Sequence, residues 1–321
     1  MAVYTDITEA ELTDFIAHYD VGELLSYKGI AEGVENTNFL LHCSGGNFIL
    51  TLYEKRVNPD DLPFFLNLME HLAGNGINCP LPVPTKSGKV LGEIAGRPAA
   101  MITFLEGMWM RRPSVAHCRA VGTALADMHK AGADFAMTRQ NSLAMEDWRP
   151  LWNQCIQAHP DMETALHDEV EGLLTKLEKN WPTDLDRGVI HADMFPDNVF
   201  FLGGELSGII DYYFACTDAY VYDVAICLNA WCFEADHAFN VTKGRALLNA
   251  YNQSRPFSEK ERAALPILSL GASLRFMLTR LYDWVTTPEG SLVVKKEPEE
   301  YIRKMRFHHQ VKNAREYGLD A

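Results

Sequence analysis

The type of secondary structure that the sequence favours changes near residues 105–107, from strands to helices. This change constrains the fold more than any other feature. Short β-forming segments precede it, at 24–30, 37–42, 48–53 and 98–104. Segments with apolar residues at helical spacing follow it, at 114–131, 161–180, 220–232, 241–254 and 258–284, interrupted by a strand-rich segment at 188–211. Two helices are also expected in the first part, at 8–19 and 58–72. The pattern predicts an α+β protein with a small β-rich N-terminal lobe, 1–104, and a larger, mainly helical lobe, 105–321.

Charge and composition exclude several classes of protein. The 43 acidic and 29 basic residues give a net charge of −14. Nucleic acids and anionic membranes bind positively charged surfaces, so this charge disfavours both as general partners. The N-terminus is acidic from its sixth residue and no apolar run approaches the roughly 18 residues of a membrane span, so we expect a cytoplasmic protein. The seven cysteines form no C-x-x-C pair and are expected to be reduced thiols.

Polar side chains within 188–211 indicate a site for phosphoryl transfer. Asp193 and Asn198 follow the apolar segment 189–190 in the pattern H-x-D-x-x-x-x-N, and Asp211 ends the segment 206–210. A hairpin would gather these three side chains. Carboxylate and amide oxygens suit Mg²⁺, and phosphoryl transfer needs a carboxylate that takes the proton of the acceptor hydroxyl.

Several residues of this segment also have a structural interpretation. Asn198 follows Pro196 and could belong to a simple turn, and Asp211 could cap the next segment. His191 is expected to hold the loop rather than to act as a base. The combination of the loop pattern with a later apolar-apolar-Asp favours the catalytic interpretation.

These segments resemble the catalytic and metal-binding segments of the aminoglycoside phosphotransferase and choline kinase superfamily, which is related to protein kinases. The resemblance implies a bilobal kinase-like fold and Mg²⁺·ATP as co-substrate. It implies that Asp193 orients the acceptor hydroxyl and that Asn198 and Asp211 bind Mg²⁺. The Asp of the Tyr222-Asp223 pair is usually structural in this superfamily.

The resemblance also places the nucleotide-binding segments. The string GIAEGVENTNF resembles the turn that covers the nucleotide, with Gly33, Asn36 and Asn38, and backbone groups near Thr103–Leu105 would face adenine. One departure is that Thr51 occupies the slot of the usual phosphate-binding lysine, while the partner position on the following helix falls near Phe65. We expect Lys55, Arg56, the loop backbone or the metal to neutralise the phosphates instead.

Within the superfamily, long strings are similar to the kinase-type homoserine kinases, namely SYKGIAEGVENTNF, FILTLYEKRV, LPFFLNLMEHL, HADMFPDNVFF and YDVAICLNAWCF. This resemblance implies phosphorylation of L-homoserine by ATP, a step toward threonine. Two alternatives stay open from the residues. The acceptor could be an aminoglycoside, choline or another amino alcohol, which the acidic stretch 161–186 would attract, or Thr51 could mark a nucleotide-binding pseudokinase.

The expected acceptor pocket must hold a carboxylate and an ammonium group. Arg275 and Arg280 lie on a mostly apolar helix, and one of them could bind the substrate carboxylate. The alternative is an internal ion pair with an aspartate such as Asp223 or Asp283. Tyr213 is a candidate for the pocket wall.

Overall fold

The computed structural model describes residues 5–30, 36–54, 57–160, 162–287 and 295–320. They form two compact units. The first contains the described residues up to Gly107 together with Ser207–Ile210, and the second contains the remainder. The predicted β-rich first part and helical second part are confirmed. The assignment of a nucleotide-covering role to 1–104 and a catalytic role to 105–321 stays a prediction.

An antiparallel five-stranded sheet is the main element of the first unit. Its elements in chain order are α1 (Glu9–Ile16), β1 (Leu24–Ile30), β2 (Thr37–Cys43), β3 (Gly46–Leu52), α2 (Leu62–Gly74), β4 (Gly92–Ile94) and β5 (Arg97–Thr103). The strands lie in the order β1-β2-β3-β5-β4. Thr8 caps α1 in a capping box with Glu11, and the helix ends at Ile16 rather than near residue 19, the end predicted from the sequence.

The alternation of side chains along the strands explains which face of the sheet is buried. Phe39 and Leu41 on β2 and Leu50 on β3 pack with Phe15 and Ile16 of α1 in one apolar cluster. Each such side chain contributes about 1.5–3 kcal/mol by its burial. Residues at the intervening positions of β2 and β3 therefore face the other side of the sheet.

The second part of the chain is mainly helical. Its elements in chain order are α3 (Val115–Ala131), α4 (Met145–Ala158), α5 (Thr164–Asn180), β6 (Arg187–Ile190), β7 (Val199–Leu202), β8 (Glu205–Ile209), β9 (Cys216–Ala219), α6 (Tyr220–Trp231), α7 (Val241–Ser254), α8 (Glu259–Thr286) and α9 (Glu299–Gln310). Helix α4 was not predicted. Near the end of the chain lies α9, whose Tyr301 is fully buried.

The strand-rich segment pairs differently from the expected hairpin. β7 pairs with β8 across a turn at Gly203 and Gly204, which both have the positive φ that glycine accepts most easily. β6, however, pairs with β9. Because β7 and β8 pair with each other, the partner of β6 comes from beyond the 3-10 turn Tyr212–Phe214. The expectation of one hairpin was therefore wrong, and two small sheets flank the loop of residues 191–198.

Helix α8 is the core helix of the second unit. It is long and apolar enough to cross a membrane by length and composition, but 83% of its apolar window is buried inside the protein. It packs against α4, α6 and α9. Its burial explains why the two arginines on it, Arg275 and Arg280, need partners or ligands.

Candidate active site

Asp193 and Asn198 meet in the 191–198 loop. The Nδ2 group of Asn198 donates to the backbone oxygen of Asp193 at 2.8 Å and to its carboxylate Oδ2 at 3.1 Å. The 3-10 turn Pro196–Asn198 brings the two residues together. Because both amide hydrogens of Asn198 point to Asp193, its Oδ1 faces away from Asp193. This orientation leaves an amide oxygen that can act as a ligand for a hard cation.

A buried carboxylate on α6 anchors the start of this loop. The Asp223 oxygens accept hydrogen bonds from the backbone amides of His191 and Ala192, at 2.7 and 3.0 Å. Ala192 has a φ of 61°, a left-handed conformation that costs about 1 kcal/mol for an alanine. Asp223 is fully buried, so these bonds form away from water and fix the strained turn that carries Asp193.

A second buried group completes this anchor. His129 Nε2 lies 3.1 Å from Asp223 Oδ2, and its Nδ1 lies 2.8 Å from the hydroxyl of Tyr251. Burial lowers the pKa of His129, so the neutral ring donates from Nε2 and accepts from Tyr251 at Nδ1. The expected structural role of Asp223 therefore has a physical basis, namely three donors converging on one carboxylate.

The environment of Asp193 favours its protonated form. Burial raises the pKa of the Asp193 carboxyl to about 6, against the nearby positive charge of Arg275, which lowers it. The charge of Asp197 adds to the rise and that of Lys296 opposes it. A carboxylate with a pKa near 6 is a stronger base than an ordinary aspartate and is still mostly ionised at neutral pH.

This environment predicts the pH dependence of the reaction. Below pH 6 the Asp193 carboxylate takes up a proton and can no longer accept one from an acceptor hydroxyl. We expect kcat/KM for the acceptor to fall about tenfold per pH unit below that point and to level off above it. A rate profile from pH 5 to 8 measures this, and a rate unchanged down to pH 5 contradicts it.

Asp211 lies two residues after the end of β8, in an unusual backbone conformation. Its φ of 65° and ψ of 64° place it in the left-handed region, at the start of the 3-10 turn Tyr212–Phe214. Aspartate adopts this region more readily than most residues, and the bend directs the chain from β8 toward β9. Within the described residues, no group of three or more His, Cys, Asp or Glu side chains has the geometry of a metal site.

The two arginines of α8 differ in their partners. Arg280 Nη1 forms an ion pair with Glu300 at 2.6 Å, so an internal partner exists, although it is neither Asp223 nor Asp283. Arg275 is 4% exposed and its guanidinium lies 4.0 Å from the ring centre of Phe276. Its positive charge opposes the rise in the pKa of Asp193 that burial causes. Tyr213 is half-buried in the 3-10 turn that follows Asp211.

Lys296 is a cation at the site that was not predicted from the sequence. Lys296 Nζ lies 3.8 Å from Asp197 Oδ2 in the 191–198 loop, and its charge also lowers the pKa of Asp193. About a hundred residues separate it from the loop, and only its position in a basic pair, Lys295-Lys296, marked it in the sequence. Lys296 therefore supplies positive charge next to the proposed base.

Those residues predicted to bind the nucleotide that the structure describes lie in the first unit. Thr51 is 1% exposed and donates from Oγ1 to Asn38 Oδ1 at 2.7 Å. Phe65, in the predicted helix slot, is also buried. A neutral hydrogen-bonded pair and an apolar side chain thus stand in these slots, which avoids an unpaired buried charge.

The remaining predicted nucleotide residues are held by local contacts. Asn36 Oδ1 accepts from the amide of Glu54 at 3.4 Å. The amide of Thr103 donates to Leu81 at 2.9 Å, so this donor is already used within the sheet region. The Leu105 side chain packs so closely on Gly208 that an added Cβ there would lie 2.7 Å from it. Gly33, Lys55 and Arg56 lie outside the described residues.

Comparison with known proteins gives matches at two levels of similarity. A model of the phosphotransferase enzyme family matches residues 26–257. Homoserine kinases from Brucella canis and Brucella suis are 65% identical to this chain over 320 residues, which cover 100% of this chain and 98% of theirs.

Solved structures with similar folds are more distant in sequence. The amicoumacin kinase hAmiN, in complex with AMP-PNP, Ca²⁺ and amicoumacin, has a TM-score of 0.68 and 17% identity, covering 95% of this chain and 93% of its own. A spectinomycin phosphotransferase in complex with ADP and spectinomycin has a TM-score of 0.67 and 13% identity, covering 98% of both chains. At these identities the similarity shows a common kinase-like fold.

Proposed function

This chain belongs to the phosphotransferase enzyme family, and from that premise we propose that it acts as a homoserine kinase, using ATP as phosphoryl donor. The observation that carries the proposal is the 65% identity to Brucella homoserine kinases along the whole chain. Such identity leaves little room for a different acceptor pocket. ATP as donor also agrees with the cytoplasmic location expected from the sequence.

The proposed reaction gives ADP and O-phospho-L-homoserine. The homoserine hydroxyl oxygen attacks the γ-phosphorus and forms the new P–O bond, while Asp193 accepts the hydroxyl proton. The bond between the γ-phosphorus and the β,γ-bridging oxygen breaks, and ADP leaves with that electron pair. Positioning and charge neutralisation supply most of the acceleration, and the base adds about 10²–10⁴-fold.

We assign the metal ligands to Asn198 and Asp211. The Oδ1 of Asn198, whose Nδ2 group donates twice to Asp193, fits an oxygen-seeking cation. Mg²⁺ commonly takes one or two protein oxygens and completes its shell with phosphate oxygens and water. When bound, it would neutralise charge on the phosphates, and Asn198 and Asp211 would fix its position.

Removal of the Asp211 carboxylate should change the metal dependence. We expect Asp211→Asn to raise the Mg²⁺ concentration that gives half-maximal rate by about tenfold or more, because one anionic ligand is lost. Titration of Mg²⁺ at fixed ATP measures this. Asp184→Asn, which changes an exposed aspartate paired with Lys260, is the matched control and should leave the titration unchanged. Equal Mg²⁺ midpoints for Asp211→Asn and the parent contradict the assignment.

Nucleotide contacts are proposed for Asn36, Asn38 and Leu105 of the first unit, and for Gly33 and Lys55. Thr51 and the side chain and amide of Thr103 already have partners within the fold, so any contact from these two residues would use other atoms. The metal, when bound, would neutralise phosphate charge, and Lys55, Arg56 or the loop backbone would add to this in place of the usual lysine.

A panel of acceptors tests the proposed function. Purified protein with Mg²⁺·ATP should release ADP fastest with L-homoserine, and at least about a hundredfold more slowly with choline, an aminoglycoside or L-serine, as expected for a site that hydrogen-bonds its substrate. If one of these alcohols gave a higher kcat/KM than homoserine, that alcohol would be the acceptor instead. The absence of turnover with all of them would favour a pseudokinase.

A further inference from the structure

Arg275 is a buried cation whose hydrogen bonds are incomplete. The side chain comes from the middle of α8, and the residue is 4% exposed. Within the described residues its Nη1 group is buried and has no hydrogen-bond partner. A guanidinium carries five N–H donors, and burying them without acceptors is costly unless an anion completes the site.

Other arginines of the second unit are paired with a carboxylate. Arg255 is also largely buried and packs on an aromatic ring, but its Nη1 lies 2.8 Å from Glu261. Arg280, one and a half turns further along α8, is paired with Glu300. Arg275 has instead the ring of Phe276 at 4.0 Å and that of Phe214 at 5.7 Å. The rings hold the guanidinium in place and leave its edge for a ligand.

The position of Arg275 identifies the type of ligand. The ring of its neighbour Phe276 packs 4.9 Å from that of Phe195, two residues after Asp193, the proposed base. The charge of Arg275 also acts on Asp193 and on the hydroxyl of Tyr301. The Tyr301 hydroxyl is likewise buried without a hydrogen-bond partner among the described residues, and its ring packs 5.3 Å from that of Phe276. Two unpartnered donors thus lie near the base, which suits an anionic group on the acceptor.

We propose that Arg275 binds the α-carboxylate of the acceptor and thereby selects amino acids over simple amino alcohols. This inference rests on the proposed function, since homoserine is the acceptor that carries such a group. A planar guanidinium fork matches a carboxylate in two parallel hydrogen bonds. The Tyr301 hydroxyl is placed to donate a further bond to the same group. The ammonium and the reacting hydroxyl of the substrate would extend toward Asp193.

Selectivity between two acceptors tests this role directly. 3-Aminopropan-1-ol is homoserine without its carboxylate, and the parent enzyme should prefer homoserine by about 10³-fold or more in kcat/KM. The preference for homoserine should fall in Arg275→Lys, which keeps the charge but not the planar fork. It should fall to below about tenfold in Arg275→Met, which keeps only the apolar stem. The loss should come from a higher KM for homoserine. Because both rates come from one preparation, their ratio does not depend on the folded fraction.

Arg280→Met is the matched control on the same helix. Its partner is Glu300, so the preference for homoserine should stay within about twofold of the parent. A collapse of the preference in Arg280→Met but not in Arg275→Met would move the carboxylate site to Arg280. Equal losses for both acceptors in Arg275→Met, or a raised KM for ATP with the preference intact, would show a structural or phosphate-binding role and overturn the inference. A parent enzyme without activity on homoserine would remove the proposed function itself.

Discussion

Asp193→Asn should lower kcat by at least about 10²–10⁴-fold, while the KM or Kd for ATP stays within a few fold of the parent. Asparagine is nearly isosteric and can keep the hydrogen-bonding contact with Asn198 that the carboxylate makes at 3.1 Å, so the loop geometry persists. What it cannot do is accept the proton of the acceptor hydroxyl. Single-turnover rates and a nucleotide titration on the same preparation separate the two quantities.

The stability of this variant provides an internal control. The folded-state pKa of Asp193, about 6, lies above the ordinary value of 3.8. Stability from this group is therefore fully present below pH 3.8 and is lost as the pH rises through 6. Asparagine has no such ionisation, so the variant should melt at or above the Tm of the parent at pH 7.5. Retained kcat with lost ATP affinity would refute the role of Asp193 as base.

Asp223→Ala should destabilise the fold by about 3–5 kcal/mol, the largest stability loss that we expect from one substitution in the second unit. It leaves the amides of His191 and Ala192 and the ring of His129 without their common acceptor. The left-handed turn at Ala192 then loses its support, so kcat should fall even in the folded fraction. Urea unfolding gives the free energy, and activity per folded molecule gives the second effect.

Asp218→Asn is the control for that experiment. Asp218 lies on β9, a few residues from Asp223, but its side chain is partly exposed and pairs with Arg187 at 3.2 Å. Pairs of this kind contribute about 0–1 kcal/mol. Similar unfolding free energies for the Asp223 and Asp218 variants would mean that the buried carboxylate does not hold the loop.

Local signals in the sequence were sufficient for much of the fold. The spacing of apolar residues predicted helices that the structure contains, and the β-forming residues at 37–42 predicted the strand that the structure places at Thr37–Cys43. The contact of Asp193 with Asn198 was also within reach, because five residues and one proline turn separate them. Helix α4 escaped prediction, since Pro150 interrupts its helical pattern.

Contacts between distant segments could not be predicted in the same way. The pairing of β6 with β9 depends on the bend at Asp211, which periodicity does not reveal. The ion pair of Arg280 with Glu300 and the approach of Lys296 to the loop join segments 20 and about 100 residues apart. A charged residue in a sequence shows that a partner is needed, but only the packing of α8 and α9 determines which partner it has.

Direct identification of the product tests the central claim, that this chain transfers the γ-phosphate of ATP to the side-chain oxygen of homoserine. Phosphorus NMR should show a phosphomonoester signal, coupled to the γ-methylene protons of homoserine, that grows as fast as ADP appears. The signal should be absent with Asp193→Asn over the same time. ADP formed at the same rate without homoserine, or a phosphate attached elsewhere, would contradict the account.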